Sequence, residues 1–145
     1  MNDYRTQFVV AAEPAKVFDA INKARDWWTG DVEGASDAVG AEFTYRNRDL
    51  HFSRQRVAEL APGARVAWDV TEARLTFVQR QDGWAGTRIL FELAPKDGGT
   101  EVRFAHLGLT PDCECYKACS GGWAYYVDGS LKQFIETGRG YPPLS

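Results

Sequence analysis

Three cysteines lie within seven positions of the sequence, at Cys113, Cys115 and Cys119. Thiols this closely spaced are typical of metal and redox centres. A zinc site, however, needs four Cys or His ligands, or three ligands and a water, and C-x-C-x₃-C matches no common structural zinc motif. Only two histidines, His51 and His106, are available as further ligands. The sequence therefore predicts no metal and no cofactor, and it favours small buried thiols near the start of a helix.

A disulfide between Cys115 and Cys119 is not expected while both residues are helical. Residues four apart on a helix have Cβ atoms about 5–6 Å apart, whereas a disulfide brings them to about 3.8 Å. Helical spacing places Cys119 on the inner face of the last helix, where a thiol acts as a small apolar side chain.

His106 is the residue best placed for proton chemistry. It lies in phase with Phe104 on a predicted strand, so its ring points inward. It is either a hydrogen-bonded core histidine or, with Ser130 across a cavity, a group that orients a ligand or moves a proton. His51 is a second candidate lining residue, although a bulge in its long strand could reverse the face.

The composition excludes several classes of function. Seventeen Lys and Arg against twenty Asp and Glu give a net charge of -3, with the signs interspersed, so no nucleic-acid surface is expected. Apolar runs such as FVVAA fall short of the roughly 20 residues of a membrane span. MNDYRTQ does not resemble a secretory signal, and three cysteines make no secreted disulfide framework, so a cytoplasmic location is expected. No G-x-S-x-G, H-E-x-x-H or Walker motif identifies a catalytic residue.

The elements that position these residues follow from the hydrophobic period. Tyr4 to Ala11 predicts a strand, Pro14 to Asn22 a helix, and Ala24 to Trp28 a second short helix. From Glu42 to about Leu107, alternating apolar and polar residues predict an antiparallel meander. Its turns are expected at Asn47-Arg48-Asp49, Ala61-Pro62-Gly63, Glu72-Ala73, Asp82-Gly83 and Lys96-Asp97-Gly98-Gly99.

A long last helix is predicted between Thr110-Pro111 and Thr137-Gly138, which are typical start and stop signals. It would span about 26 residues, or about 39 Å, enough to cross the sheet. Gly121-Gly122 predicts a bend, a helix that starts properly only near Trp123, or close contact of the helix with a strand. Helical spacing gathers one apolar stripe, which contains Tyr116, Cys119, Trp123, Val127, Ser130 and Phe134.

These elements predict an α+β protein in which a curved antiparallel sheet of six or seven strands wraps around the C-terminal helix. Their order resembles the START/SRPBCC superfamily, with its birch-pollen-allergen-like helix-grip fold. The stretches FVVAAEPAKVFDAI, VAELAPGARVAWDV, GTEVRFAHLGL and ECYKACSGGW are similar to the activator of heat-shock protein 90 ATPase homologue-like branch. The resemblance implies one domain over residues 1–138, an irregular tail over 139–145, and a cavity between sheet and helix.

Three functions are compatible with this resemblance. The first is binding of a small apolar or aromatic molecule, or a lipid, in the cavity. The second is a cyclase- or hydrolase-like enzyme that uses the same cavity. The third is a stress-related or co-chaperone interaction domain, and an exposed strand edge would also support a homodimer. Fold alone does not decide among them.

The residues expected to line the cavity lie on the dry faces of the sheet and of the last helix. They are Phe43, Tyr45, Trp68, Phe77, Phe91, Phe104, His106, Cys119, Trp123, Val127, Ser130 and Phe134. Trp84, beside turn glycines, is instead expected at the surface as a cover or a partner contact.

Overall fold

The computed structural model describes residues 2–144 and contains one seven-stranded antiparallel sheet. The strands are β1 (Tyr4–Val10), β2 (Asp31–Gly34), β3 (Glu42–Asn47), β4 (His51–Ala61), β5 (Arg65–Leu75), β6 (Arg88–Lys96) and β7 (Gly99–Leu107). They pair in the order β1-β7-β6-β5-β4-β3-β2. Helices α1 (Pro14–Ile21) and α2 (Ala24–Trp27) follow β1. The predicted helix-grip α+β fold is therefore confirmed.

Two details of the meander differ from the sequence prediction. The turn expected at Glu72-Ala73 lies inside β5, because a register shift opposite Arg54 and Gln55 lets the strand continue through an extra residue. The chain then leaves the sheet for a loop over residues 76–87. The seventh strand is β2, which precedes the predicted meander and pairs with β3.

The C-terminal helix has three consecutive segments: α3 (Tyr116–Trp123), a π-helical segment (Ala124–Leu131) and α4 (Lys132–Thr137). It starts later than predicted, because residues 110–115 form turns in which the Cys113 N–H donates to the Thr110 carbonyl at 2.8 Å. It ends as predicted at Gly138, whose φ of 84° is left-handed.

Gly121 and Gly122 lie inside α3, which continues through both of them. A Cβ atom at either position would meet no atom within 4 Å, so close contact with a strand does not explain these glycines. The departure from α-helical geometry comes just afterwards, in the π-helical segment, where hydrogen bonds span five residues instead of four. Val127 and Ser130, which the predicted stripe contains, lie in this segment and are both buried.

The C-terminal tail has no regular secondary structure and folds back over the helix. The Tyr141 N–H donates to the Ser130 hydroxyl at 2.8 Å, and the Thr29 hydroxyl donates to the Tyr141 carbonyl at 2.9 Å. The Leu144 N–H donates to the Tyr126 hydroxyl at 3.0 Å. Residues 139–144 are thus held by hydrogen bonds to the body of the domain.

Aromatic rings fill the space between the sheet and the helices. Trp27, Trp28 and Trp68 are stacked, with centroids 6.1–6.5 Å apart and interplanar angles of 4–20°. Phe91 packs edge-on against Trp68 at 5.2 Å, and Phe104 packs edge-on against Phe91 at 5.1 Å. All five side chains are buried. The deep interior is therefore a packed core rather than the expected open cavity.

Candidate ligand-binding site

A pocket of about 210 Å³ opens where the β3–β4 turn, the loop 76–87 and α3 meet. Its position corresponds to one end of the predicted cavity, close to the start of the C-terminal helix. It is lined by Trp28, Tyr45, Asn47, Arg48, Leu50, His51, Phe77, Trp84, Ala118, Cys119, Gly122, Trp123, Tyr126 and Leu144.

Stacked aromatic rings form much of the pocket wall. Trp28 stacks on Tyr45, with centroids 4.2 Å apart and planes inclined by 10°. Trp84 stacks on Trp123 at 5.6 Å and 13°. Trp28 and Trp123 are 5.0 Å apart, so the two stacks are in contact. These rings present flat apolar surfaces that suit a planar aromatic molecule.

The mouth of the pocket carries exposed apolar side chains. Leu50, Phe77 and Leu144 are 49%, 45% and 37% exposed, and within residues 2–144 only two other large apolar side chains are exposed, Val9 and Val39. Concentrated exposed apolar surface marks binding sites. The mouth is therefore the most apolar part of the described surface.

Arg48 brings the one cationic side chain to this lining. It occupies the β3–β4 turn with a φ of 54°, a left-handed conformation that few non-glycine residues adopt. None of the ion pairs within the described part of the chain involves Arg48. Its guanidinium group is thus free to pair with an anionic group on a ligand.

His106 lies behind the pocket wall and makes two hydrogen bonds. The indole N–H of Trp123 donates to His106 Nδ1 at 3.0 Å, so the neutral ring carries its proton on Nε2. This Nε2–H donates to the Thr87 hydroxyl at 2.8 Å, and Thr87 donates to the Trp84 carbonyl at 2.6 Å. Burial, followed by the nearby His51, lowers the pKa of His106 to about 3. His106 is therefore the hydrogen-bonded core histidine of the two predicted alternatives.

His51 lies in the pocket lining, where the sequence predicts a second lining histidine. The bulge on its own strand comes later, between Val57 and Glu59, so the face of His51 is not reversed. Its Nε2 is 2.9 Å from the Ser53 hydroxyl, which also accepts a hydrogen bond from the Gln55 amide. Burial lowers the pKa of His51 to about 3, so the ring is neutral near pH 7.

Two tyrosine hydroxyls connect the pocket to the tail. The hydroxyls of Tyr45 and Tyr126 lie 2.8 and 2.9 Å from the Thr29 carbonyl, and the Tyr45 hydroxyl lies 3.1 Å from that of Tyr126, so their two protons are shared among these three contacts. Burial and the hydrogen bond with Tyr126 raise the pKa of Tyr45, so its hydroxyl stays protonated. Because Tyr126 also accepts the Leu144 N–H, this cluster holds the tail at the pocket mouth.

The structure divides the twelve expected lining residues into three groups. Tyr45, Phe77, Cys119 and Trp123 line the pocket, and His106 supports its wall. Five lie in the packed core instead, namely Phe43, Trp68, Phe91, Phe104 and Val127. The remaining two residues, Ser130 and Phe134, do not line the pocket. Ser130, in the π-helical segment, donates to the Trp27 carbonyl at 2.7 Å, and Phe134, in α4, borders a separate polar groove beside α1 and α2.

The expectation for Trp84 was wrong. Its side chain is only 4% exposed and packs between His51 and His106, with ring centroids 4.6 and 4.7 Å away. The loop 76–87 folds inward because Thr87 ties the Trp84 carbonyl to His106. Trp28 and Tyr126 were also missed, although both occupied apolar positions in predicted helices.

Within residues 2–144, no three His, Cys, Asp or Glu side chains are arranged to hold a metal ion. No helix in the same range has the length and apolar character needed to span a bilayer.

The fold and pocket together define a protein of the helix-grip class. A family model described as Activator of Hsp90 ATPase homolog 1-like protein matches residues 11–136, so the chain belongs to that family. The resemblance noted in the sequence is thereby confirmed. A comparison with curated proteins gives no significant match.

Several solved structures are similar. The Aha1 dimer from Colwellia psychrerythraea has a TM-score of 0.77 at 26% identity, covering 97% of this chain and 100% of that one. MLL2253 from Mesorhizobium loti has a TM-score of 0.72 at 18% identity, covering 93% and 97%. DynU16, from the dynemicin biosynthetic locus, has a TM-score of 0.70 at 17% identity, covering 99% of this chain and 52% of that one. The last two similarities concern the fold alone.

Proposed function

We propose that the pocket binds a small planar aromatic molecule carrying an anionic group. The observation that carries this proposal is the pair of contacting ring stacks, Trp28 on Tyr45 and Trp84 on Trp123, which border an open volume of about 210 Å³. An apolar cavity of about 150 Å³ holds benzene, so this volume suits one or two fused rings. A long-chain lipid would extend beyond the mouth.

Binding is favoured over catalysis by the state of the two histidines. Both ring nitrogens of His106 are already hydrogen-bonded. With a pKa of about 3, the neutral ring of His51 is a weak base near pH 7. A cyclase- or hydrolase-like activity would therefore need a proton acceptor other than these two histidines. A co-chaperone role rests on the family description, and a homodimer and a cytoplasmic location also stay predictions.

Gly122 provides the sharpest test of this proposal. It lines the pocket, and a Cβ there would meet no atom within 4 Å, so the side chain of Gly122→Leu starts in open space at the pocket wall. Gly121→Leu is a matched control, because Gly121 has equal space but is exposed and does not line the pocket. Both changes replace a helical glycine and should preserve or raise stability, by up to about 1 kcal/mol.

We expect 2-naphthoate to bind the native protein and Gly121→Leu, and to bind Gly122→Leu at least about tenfold more weakly. Isothermal titration calorimetry measures the affinities, and ¹H–¹⁵N spectra should show the indole signals of Trp84 and Trp123 shifting. Equal affinity in both leucine variants would place the ligand elsewhere. Failure of naphthoate, indole and phenol derivatives to bind the native protein would reject the proposal.

Arg48 should select for an anionic group on the ligand. We expect Arg48→Ala to weaken 2-naphthoate binding about two- to fivefold, the range of an exposed ion pair. Binding of the neutral 2-naphthalenemethanol should not change, and the difference should shrink at high salt. Calorimetric titrations at two salt concentrations measure both effects. An equal loss for the two compounds would mean that Arg48 acts through the conformation of the turn instead.

A further inference from the structure

A buried hydrogen-bonded chain fixes the position of the proton on the His51 ring. The Ser53 hydroxyl is completely buried, and its partners within residues 2–144 are the Gln55 amide and His51 Nε2. The Gln55 amide nitrogen donates to the Ser53 oxygen, so the Ser53 proton is left to point at His51 Nε2. His51 Nε2 therefore accepts at 2.9 Å, and the one proton of the neutral ring lies on Nδ1.

The two histidines thus carry opposite tautomers. His106 accepts from the Trp123 indole at Nδ1 and carries its proton on Nε2. His51 accepts at Nε2 and carries its proton on Nδ1. They are the only two histidines in the sequence, so each serves as an internal reference for the other.

The Nδ1–H of His51 faces the pocket. His51 is in phase with the buried Ser53 and Gln55 on β4, so its ring lies on the inner face of the sheet. The ring packs edge-on against Tyr45 and Trp84, with centroids 5.1 and 4.6 Å away, and both of these residues line the pocket. Nδ1 has no hydrogen-bond partner within residues 2–144, and it does not belong to the buried polar atoms left without one. This N–H is therefore open to the pocket.

A second donor without a protein partner lies at the same turn. Asn47 and His51 are the last register pair of β3 and β4, and Arg48 follows Asn47 in the turn that joins these strands. The guanidinium group of Arg48 and the Nδ1–H of His51 both donate, and neither group can accept. This side of the pocket is thus matched to a hydrogen-bond acceptor.

We propose that His51 selects the polar group of the ligand by donating its Nδ1–H to an acceptor carried on the aromatic ring. This role rests on the function proposed above and deepens it, because the anionic group of the ligand, or a neutral acceptor in its place, accepts from His51. Ser53 and Gln55 are positioning residues that keep the proton on the nitrogen facing the pocket. An aromatic molecule that can only donate brings N–H against N–H and is disfavoured.

Nitrogen NMR measures the two tautomers without any ligand. At pH 8 both rings are neutral, and long-range ¹H–¹⁵N spectra of ¹⁵N-labelled protein identify the protonated nitrogen of each. We expect a protonated Nδ1 in His51 and a protonated Nε2 in His106, with His106→Gln assigning the two patterns. Ser53→Ala should populate the Nε2–H form of His51, because the donor that holds Nε2 as an acceptor is removed. Protonation of both histidines at Nε2 in the native protein would overturn the proposal.

Quinoline and indole separate recognition of an acceptor from packing of the rings. Both are fused bicyclic compounds of similar size, but the quinoline nitrogen only accepts and the indole N–H only donates. His51→Phe keeps a ring against Tyr45 and Trp84 and removes the donor. We expect it to weaken binding of quinoline and 2-naphthoate about three- to tenfold, the value of one hydrogen bond. Binding of indole should change less than about twofold.

Calorimetric titrations at pH 8 give these affinities, and His51→Leu replaces the phenylalanine variant should that variant fail to fold. Equal losses for quinoline and indole would mean that His51 only packs against the ligand, and an unchanged quinoline affinity would mean that it makes no polar contact. Either result would overturn the proposal. Absence of binding by every fused-ring compound would instead reject the function on which the proposal rests, and the nitrogen spectra would still decide the tautomers.

Discussion

Replacing Trp28 by alanine is expected to lower the free energy of unfolding by about 3–5 kcal/mol, the usual cost of removing a buried aromatic side chain. Trp28 is 2% exposed and is the point where the core and the pocket meet. The centroid of its ring lies 4.2 Å from that of Tyr45, 5.0 Å from that of Trp123 and 6.1 Å from that of Trp68. The truncation leaves a cavity among rigid rings that have little freedom to collapse into it.

Urea unfolding measures this loss, and Phe77→Ala is the matched control. Phe77 lines the same pocket but is 45% exposed, so its truncation should cost less than about 1 kcal/mol. A small loss for Trp28→Ala, similar to that of Phe77→Ala, would show that the ring stacks line a ligand site without supporting the fold.

The protein should lose stability as the pH falls below about 6.5, the pKa of an unfolded histidine. His51 and His106 have pKa values of about 3 in the folded state, so the unfolded state binds more protons between these limits. Stability is therefore retained above pH 6.5 and lost progressively as the pH falls towards 3. At pH 5 the expected loss is about 2 kcal/mol for each histidine.

The slope of unfolding free energy against pH tests this directly. Near pH 5 each histidine should contribute about 1.3 kcal/mol per pH unit. His106→Gln should remove about half of the histidine contribution to this slope, whatever its effect on stability at pH 8. His51→Gln should remove the other half. Slopes that do not change in either variant would mean that these rings accept protons in the folded protein.

The fold could be predicted because its signals are local. The proline at the start of α1, the alternation along β7 and the glycine that ends α4 each act within a few residues. Where such signals compete with packing, prediction was less accurate. Glu72-Ala73 resembles a turn, but its neighbours on β4 keep it in β5.

The candidate site was harder to predict because its parts meet through tertiary contacts. The inward position of Trp84 depends on Thr87 and on His106, 19 residues beyond Thr87. Leu144 reaches the mouth through the Tyr126 hydroxyl. The helix also changes its period after Trp123, and no motif in the sequence predicts a π-helical segment.

The arrangement of the tryptophans also has an optical consequence. All five are buried, and each has a centroid within 6.5 Å of another indole at a defined angle. Their excited states are therefore coupled in a fixed chiral array, and near-ultraviolet circular dichroism should report the array as one signal that disappears when tertiary packing is lost. Occupancy of the pocket should perturb the Trp84 and Trp123 part of that signal. Ligand binding can therefore be followed by circular dichroism without an added label.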